Sequence, residues 1–105
     1  MIRATTPKIE FIFPDGIYEN SKKILITFKQ GDKIVFEKEK NDLLDATQEE
    51  ANKYVIKLTQ KETIMFDSSK SLKIQLRFLS NDGESYVSNI KTVTVKDVLN
   101  DKEIK

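Results

Sequence analysis

Cysteine, histidine and tryptophan are absent from this sequence, and glycine and proline occur only three times and twice. Without cysteine there is no disulfide, no thiolate nucleophile and no thiolate-bound metal. Without histidine there is no imidazole base, proton shuttle or imidazole ligand, which removes most familiar hydrolytic and metal-centred sites. A hydroxyl nucleophile would then need a buried lysine as its base, whereas most lysines here fall at polar strand positions or in turns. Gly16, Gly31 and Gly83 stand singly, so no glycine-rich loop is available to cradle a phosphate. No apolar run approaches the roughly 20 residues that span a bilayer, so a soluble chain with no membrane partner is expected. An excess of one charge is also missing: 18 Lys and Arg against 17 Asp and Glu leave a net charge of +1, too little to drive the chain onto nucleic acid or anionic lipid. The chain reads as a non-enzyme with no cofactor.

The 105 residues suit one compact domain, long enough to bury roughly 60 to 65 per cent of the unfolded surface without metal or disulfide staples. Residues 1-105 are expected to form that single domain. Met1-Ile2-Arg3-Ala4-Thr5-Thr6-Pro7 lacks the basic region, apolar stretch and small-residue cleavage site of a secretory signal. Export by that route is not expected.

Hydrophobic residues recur with period two, which gives a strand one buried and one wet face. Ile9, Phe11 and Phe13 alternate with Lys8, Glu10 and Ile12 until Pro14-Asp15-Gly16 stops the run. Ile24, Ile26 and Phe28, the turn Gln30-Gly31-Asp32, and then Ile34, Val35 and Phe36 read as a hairpin. Glu37 to Lys53 is charged and polar and reads as a loop pinned by Leu43-Leu44, with Thr47 and Glu50 at the spacing of a capping box. Tyr54, Ile56 and Leu58 resume the alternation, and Thr59-Gln60-Lys61-Glu62 predicts a helical turn crossing between sheets. Leu72, Ile74, Leu76 and Phe78 form the cleanest alternation and predict a central strand. Asp82-Gly83 suits a primed hairpin turn. On the return arm Tyr86 and Ile90 share one parity while Val93 and Val95 take the other, so an extra residue near Ser88-Asn89 is expected to form a β-bulge and restore one buried face. Residues 100-105 have little to bury and are expected to fray. The pattern predicts an all-β fold: a two-sheet immunoglobulin-like β-sandwich of about six or seven strands with one short helical crossing. A small barrel is the alternative, because periodicity does not decide how sheet edges close.

Few constellations offer chemistry. Asp42, Asp45, Glu49 and Glu50 lack the glycine and oxygen spacing of a calcium loop and read first as a solvated acidic loop. Lys73, Arg77 and Lys91 would share a wet face with Tyr86, but Glu10, Glu37 and Glu84 dilute that patch and only two arginines occur, so nucleic acid is not the expected partner. Phe11, Phe13, Phe28, Phe36 and Phe78 read as core. Tyr18, Tyr86 and the Val98-Leu99 end lie outside the cleanest runs and are the candidate contacts for a partner, together with the acidic group Asp42, Asp45, Glu49 and Glu50.

Several segments are familiar as a set: Met1-Ile2-Arg3-Ala4-Thr5-Thr6-Pro7, Leu58-Thr59-Gln60-Lys61-Glu62-Thr63, Ile74-Gln75-Leu76-Arg77 followed by Asn81-Asp82-Gly83, and Ser88-Asn89-Ile90 leading to Asp97-Val98-Leu99-Asn100-Asp101. In this order they resemble a group of small uncharacterised proteins encoded by phages and prophages of Gram-positive bacteria. The resemblance covers most of the chain except Glu37 to Lys53 and carries over no catalytic residue. It implies phage origin and a non-catalytic role. The leading expectation is a binding or structural accessory protein, a virion component or assembly factor, whose partner is a phage structural protein. The alternative is an intracellular inhibitor or trigger of a host defence protein, with the acidic segment competing for a basic groove. Both place the chain in the host bacterial cytoplasm during infection, the first also in the virion, and homo-oligomers are compatible with either. A carbohydrate-binding module is less attractive without tryptophan platforms.

Overall fold

The computed structural model describes all 105 residues. Eight strands follow one another as β1 (Lys8–Ile12), β2 (Ser21–Gln30), β3 (Lys33–Glu39), β4 (Leu44–Asp45), β5 (Lys53–Lys57), β6 (Leu72–Ser80), β7 (Ser85–Val87) and β8 (Lys91–Val93). Two short helices, α1 (Ile17–Asn20) and α2 (Gln60–Ile64), interrupt them. The strands form two antiparallel sheets, β1-β5-β4 and β3-β2-β6, with β7 and β8 both pairing the far edge of β6. The chain is therefore all-β and sandwich-like, with two separate sheets in place of one closed barrel. No helix is long and apolar enough to cross a membrane.

The period-two runs supply the facing layers. Ile9, Phe11 and Phe13 from one sheet pack with Ile24, Ile26, Phe28, Leu72, Ile74, Leu76 and Phe78 from the other in a single buried cluster. Burial of such side chains stabilises the fold by about 1.5 to 3 kcal/mol each. Phe36 is the exception among the expected core aromatics: it is half-buried on edge strand β3 and closes over Phe28 and Phe66, with ring centroids 4.7 and 5.4 Å away.

α2 makes the expected crossing, leaving β5 in one sheet and leading to β6 in the other. The Thr59 hydroxyl accepts the Glu62 N–H at 3.1 Å, and the Glu62 carboxylate accepts the Thr59 N–H at 2.9 Å, which satisfies two otherwise orphaned donors. Glu62 also pairs with Lys38 of β3. Burial opposes its charge, but the bonds from Lys38 and Thr59 outweigh that and hold its carboxyl below the usual range. The other expected capping box does not form. The Thr47 hydroxyl turns to Asp45 at 2.6 Å, and the box appears instead at Glu39 and Asp42 around a 3-10 turn, Lys40–Asp42. Leu43 pins this segment to the core as expected, while Leu44 is exposed in β4.

Two further expectations, the turn type and the strand count, are corrected. The Asp82-Gly83 hairpin is not a primed turn: among these residues only Gly83 has positive φ, at 86°. The Gly83 N–H bonds the Ser80 carbonyl at 3.0 Å and the Ser80 N–H bonds Glu84 at 2.8 Å, the longer loop that pairs an ordinary turn with one left-handed glycine. Residues 100-105 form no helix or strand and make a few side-chain contacts. Asp101 accepts from Arg3 at 3.0 Å, and the Gln60 amide both donates to the Ile104 carbonyl at 3.1 Å and accepts the Ile104 N–H at 2.9 Å. The strand count rises to eight because β4 is a two-residue stub and the last arm is split into β7 and β8.

The split is the expected bulge. Arg77 pairs with Val87 and Ile74 pairs with Lys91, so Ser88, Asn89 and Ile90 stand opposite only Gln75 and Leu76. Ser88 fills the irregularity: its Oγ accepts the Leu76 N–H at 2.9 Å and donates to the Asn89 carbonyl at 2.9 Å, while its own N–H bonds the Leu76 carbonyl at 2.9 Å. The extra residue brings Tyr86, opposite Phe78, onto the same face as Val93, opposite Leu72. A continuous buried face does not result. Val95 is buried, but Tyr86 is 46% exposed and Ile90 54% exposed.

Candidate functional site

The two sheets do not meet along one side. β1 is the free edge of the smaller sheet, β7 and β8 are the free edge of the larger, and no ladder joins them. Between them opens a groove of about 570 Å³. Phe11 of β1 and Phe13 just beyond its end form one wall and Ile74, Leu76 and Phe78 of β6 the other, with Ile12, Tyr86 and Val87 on the rim. The Phe13 and Phe78 rings meet edge to face at 5.6 Å and hold the walls together. Ile12 and Val87, each outward on its own edge strand, are 61% and 65% exposed where those edges meet the groove.

Both edges carry free backbone groups. Pro7 accepts from Leu58 and Phe13 donates to Asn52, each at 3.0 Å, and Ile9 and Phe11 pair with Ile56 and Tyr54 between them. Alternate residues point opposite ways in a strand, so Lys8, Glu10 and Ile12 direct their N–H and C=O groups away from β5. By the same argument Glu84, Tyr86 and Ser88 face β6, leaving Ser85 and Val87 to present theirs at the outer edge.

Glu10 and Lys91 supply the charge at the mouth. Glu10 is already paired with Lys53 at 3.3 Å. Lys53 reaches Glu49 as well, at 3.0 Å, and the bonds from Glu49 and then Glu10 raise its pKa. Lys91 lies opposite Ile74 on the inward face of β8. Its Nζ approaches the Glu10 carbonyl at 3.5 Å and lies 5.9 Å from the Phe11 ring centroid, and no carboxylate pairs with it. An inward-pointing lysine also discourages indiscriminate pairing at an open edge.

Of the residues expected to contact a partner, only Tyr86 belongs to this groove. Its hydroxyl donates to Glu84 at 2.7 Å, which raises the phenol's pKa. Tyr18 is not a free contact. It packs against the core from α1, stacked on Tyr54 at 4.0 Å with Lys40 Nζ 4.5 Å from its own ring centroid. Val98 is half-buried and Leu99 fully exposed, both on the strap that follows Asp97. Asp97 bonds Arg3 at 2.7 Å and the Val98 N–H at 2.8 Å. Three of the four acidic candidates have their carboxylates occupied locally; the Glu50 carboxylate makes no such bond. Asp42 accepts the Glu39 N–H at 2.8 Å, Asp45 accepts both Thr47 donors, Glu49 binds Lys53, and the Glu50 carbonyl accepts the Lys53 N–H at 3.2 Å. No three carboxylates gather as ion ligands. The basic patch dissolves too: Lys73 and Arg77 lie on the outward face with Thr92 and Val87, whereas Lys91 and Tyr86 lie on the inward face.

Ile12 and Val87 were not candidates from the sequence. Ile12 left a signal, an isoleucine in the outward phase beside Lys8 and Glu10. Comparison with protein-family models finds no match, and neither does comparison with curated proteins.

Proposed function

We propose that this chain is a non-catalytic accessory protein of phage origin that acts by surface contact, as a virion component or assembly factor, with its groove seated on a phage structural protein. The observation that carries this reading is the apolar groove flanked by two unpaired strand edges. The polar groups around the groove support a non-catalytic role, because Ser88 is committed to Leu76 and Asn89 and no base approaches it. The fold fits as a variation on the immunoglobulin-like sandwich. With β7 and β8 taken as one arm, the sheets read 1-5-4 and 3-2-6-7, and moving strand 2 to the other sheet yields the immunoglobulin order. The reading as a host-defence inhibitor has less support, since Asp42, Asp45 and Glu49 are held in local bonds.

The test is to express a tagged chain during phage growth in a Gram-positive host, purify the particles and analyse them and their assembly intermediates by mass spectrometry. The chain is expected with particles or with a structural protein, and Val87→Glu is expected to release it. Its absence from every structural fraction would sink the proposal.

A further inference from the structure

We infer that the groove is filled by an extended strand of the partner, which pairs with the outer edge of β7 and carries an apolar side chain and, two residues away on the same face, a carboxylate. This rests on the groove being a contact site and adds the chemistry of its occupant. The first argument is hydrogen-bonding capacity: Ser85 and Val87 turn N–H and C=O groups outward beside an apolar trough, and a strand satisfies such groups while filling the trough with alternate side chains. Helices satisfy their own backbone groups and would leave those of β7 to water.

The choice of β7 over β1 follows from Lys91. Its ammonium already lies near the Glu10 carbonyl on the open side of β1, whereas nothing covers β7. A strand added to β7 lies about 4.8 Å from it, so its inward side chains descend onto Phe11 and Leu76 on one side of the bulge and approach Lys91 on the other. The charge follows from the pairing at the mouth. Glu10 is matched by Lys53 and Glu84 accepts from Tyr86, so Lys91 is the cation of the groove with no acidic partner. A carboxylate at the inward position next to the apolar residue supplies one, after it in a parallel strand and before it in an antiparallel one.

The test titrates the full chain, followed by amide NMR, with the end-blocked peptides Thr-Val-Thr-Phe-Thr-Glu-Thr and Thr-Glu-Thr-Phe-Thr-Val-Thr, one for each strand direction, and with versions bearing Gln or Lys in place of Glu. N-methylation of one or the other alternate set of peptide nitrogens is the second variable. The expected result is perturbation at Val87, Tyr86 and Leu76, about two- to fivefold weaker binding with Gln, as for an exposed ion pair, weaker still with Lys, and loss of binding on methylating one set only. Lys91→Glu is expected to reverse the Glu and Lys ranking. The peptide comparisons use the unaltered chain, so misfolding does not enter them. Absence of perturbation at the groove, indifference to peptide charge, or equal tolerance of both methylated sets would overturn the inference. So would self-association through Val87 and Tyr86 without peptide, which would make a second copy the occupant. A chain found on particles while these peptides fail to bind would leave the proposed function standing and remove only the strand mode.

Discussion

The bulge that shapes the groove depends on one hydroxyl, and replacing it tests the account at its most exposed point. In Ser88→Ala the Leu76 N–H, on a buried residue of the central strand, loses the acceptor it has at 2.9 Å. The Ser88 N–H to Leu76 carbonyl bond persists, because it is made by backbone alone. An orphaned buried donor costs about 1 to 3 kcal/mol, and the lost bond to the Asn89 carbonyl, at an exposed site, adds little. A chain of this length is stable by about 5 to 15 kcal/mol, so the melting temperature should fall by about 5 to 20 °C. Thermal and urea unfolding followed by circular dichroism give the number, and hydrogen exchange at the Leu76 amide gives the location, with protection falling there before it falls in β2. Ser88→Thr keeps the acceptor and should recover most of the loss. Ser85→Ala, exposed and without a side-chain bond, should stay within about 0.5 kcal/mol of the parent. A Ser88→Ala chain as stable as the parent, or a threonine variant no better than alanine, would refute the role assigned to this hydroxyl.

Gln30 is 4% exposed and bonds the Asp67 carbonyl and N–H and the Lys70 carbonyl at 2.7, 2.9 and 3.0 Å, so Gln30→Ala should cost about 2 to 4 kcal/mol in urea unfolding. A cost below about 1 kcal/mol would mean water replaces the amide. The depressed pKa of Glu62 predicts stability present at neutral pH and lost as pH falls below about 4.3, the unfolded value. The gap in melting temperature between the parent and Glu62→Gln should therefore close toward pH 3, and a gap independent of pH would contradict the pairing with Lys38. Gln60→Ala should speed hydrogen exchange at the Ile104 amide without lowering global stability by more than about 1 kcal/mol; unchanged exchange would show that the strap is held elsewhere.

Much of the fold was legible because alternation is a local property. Ile24, Ile26 and Phe28, and Leu72 through Phe78, are inward wherever their sheet lies, and the Thr59 cap needs only residues three apart. The Tyr86 and Val93 parity mismatch located the bulge for the same reason. Tyr18 was misjudged because a single turn of helix has no period to read, and its stacking partner, Tyr54, is 36 positions further along the chain.

The alternation of side chains in the sequence alone determined that this chain is a two-faced β protein and which strand residues form most of its core, since the direction of a side chain from a strand is set by its own backbone. Whether the sheet edges closed was decided only in three dimensions, by long-range pairings: β1 to β5, and β6 to both halves of a bulged arm. Hydrogen-bond partners of a strand edge are chosen among all other edges at once. That choice left β1 and β7 apart, turned Ile12 and Val87 into a rim, and set Lys91 beside it without a counter-charge.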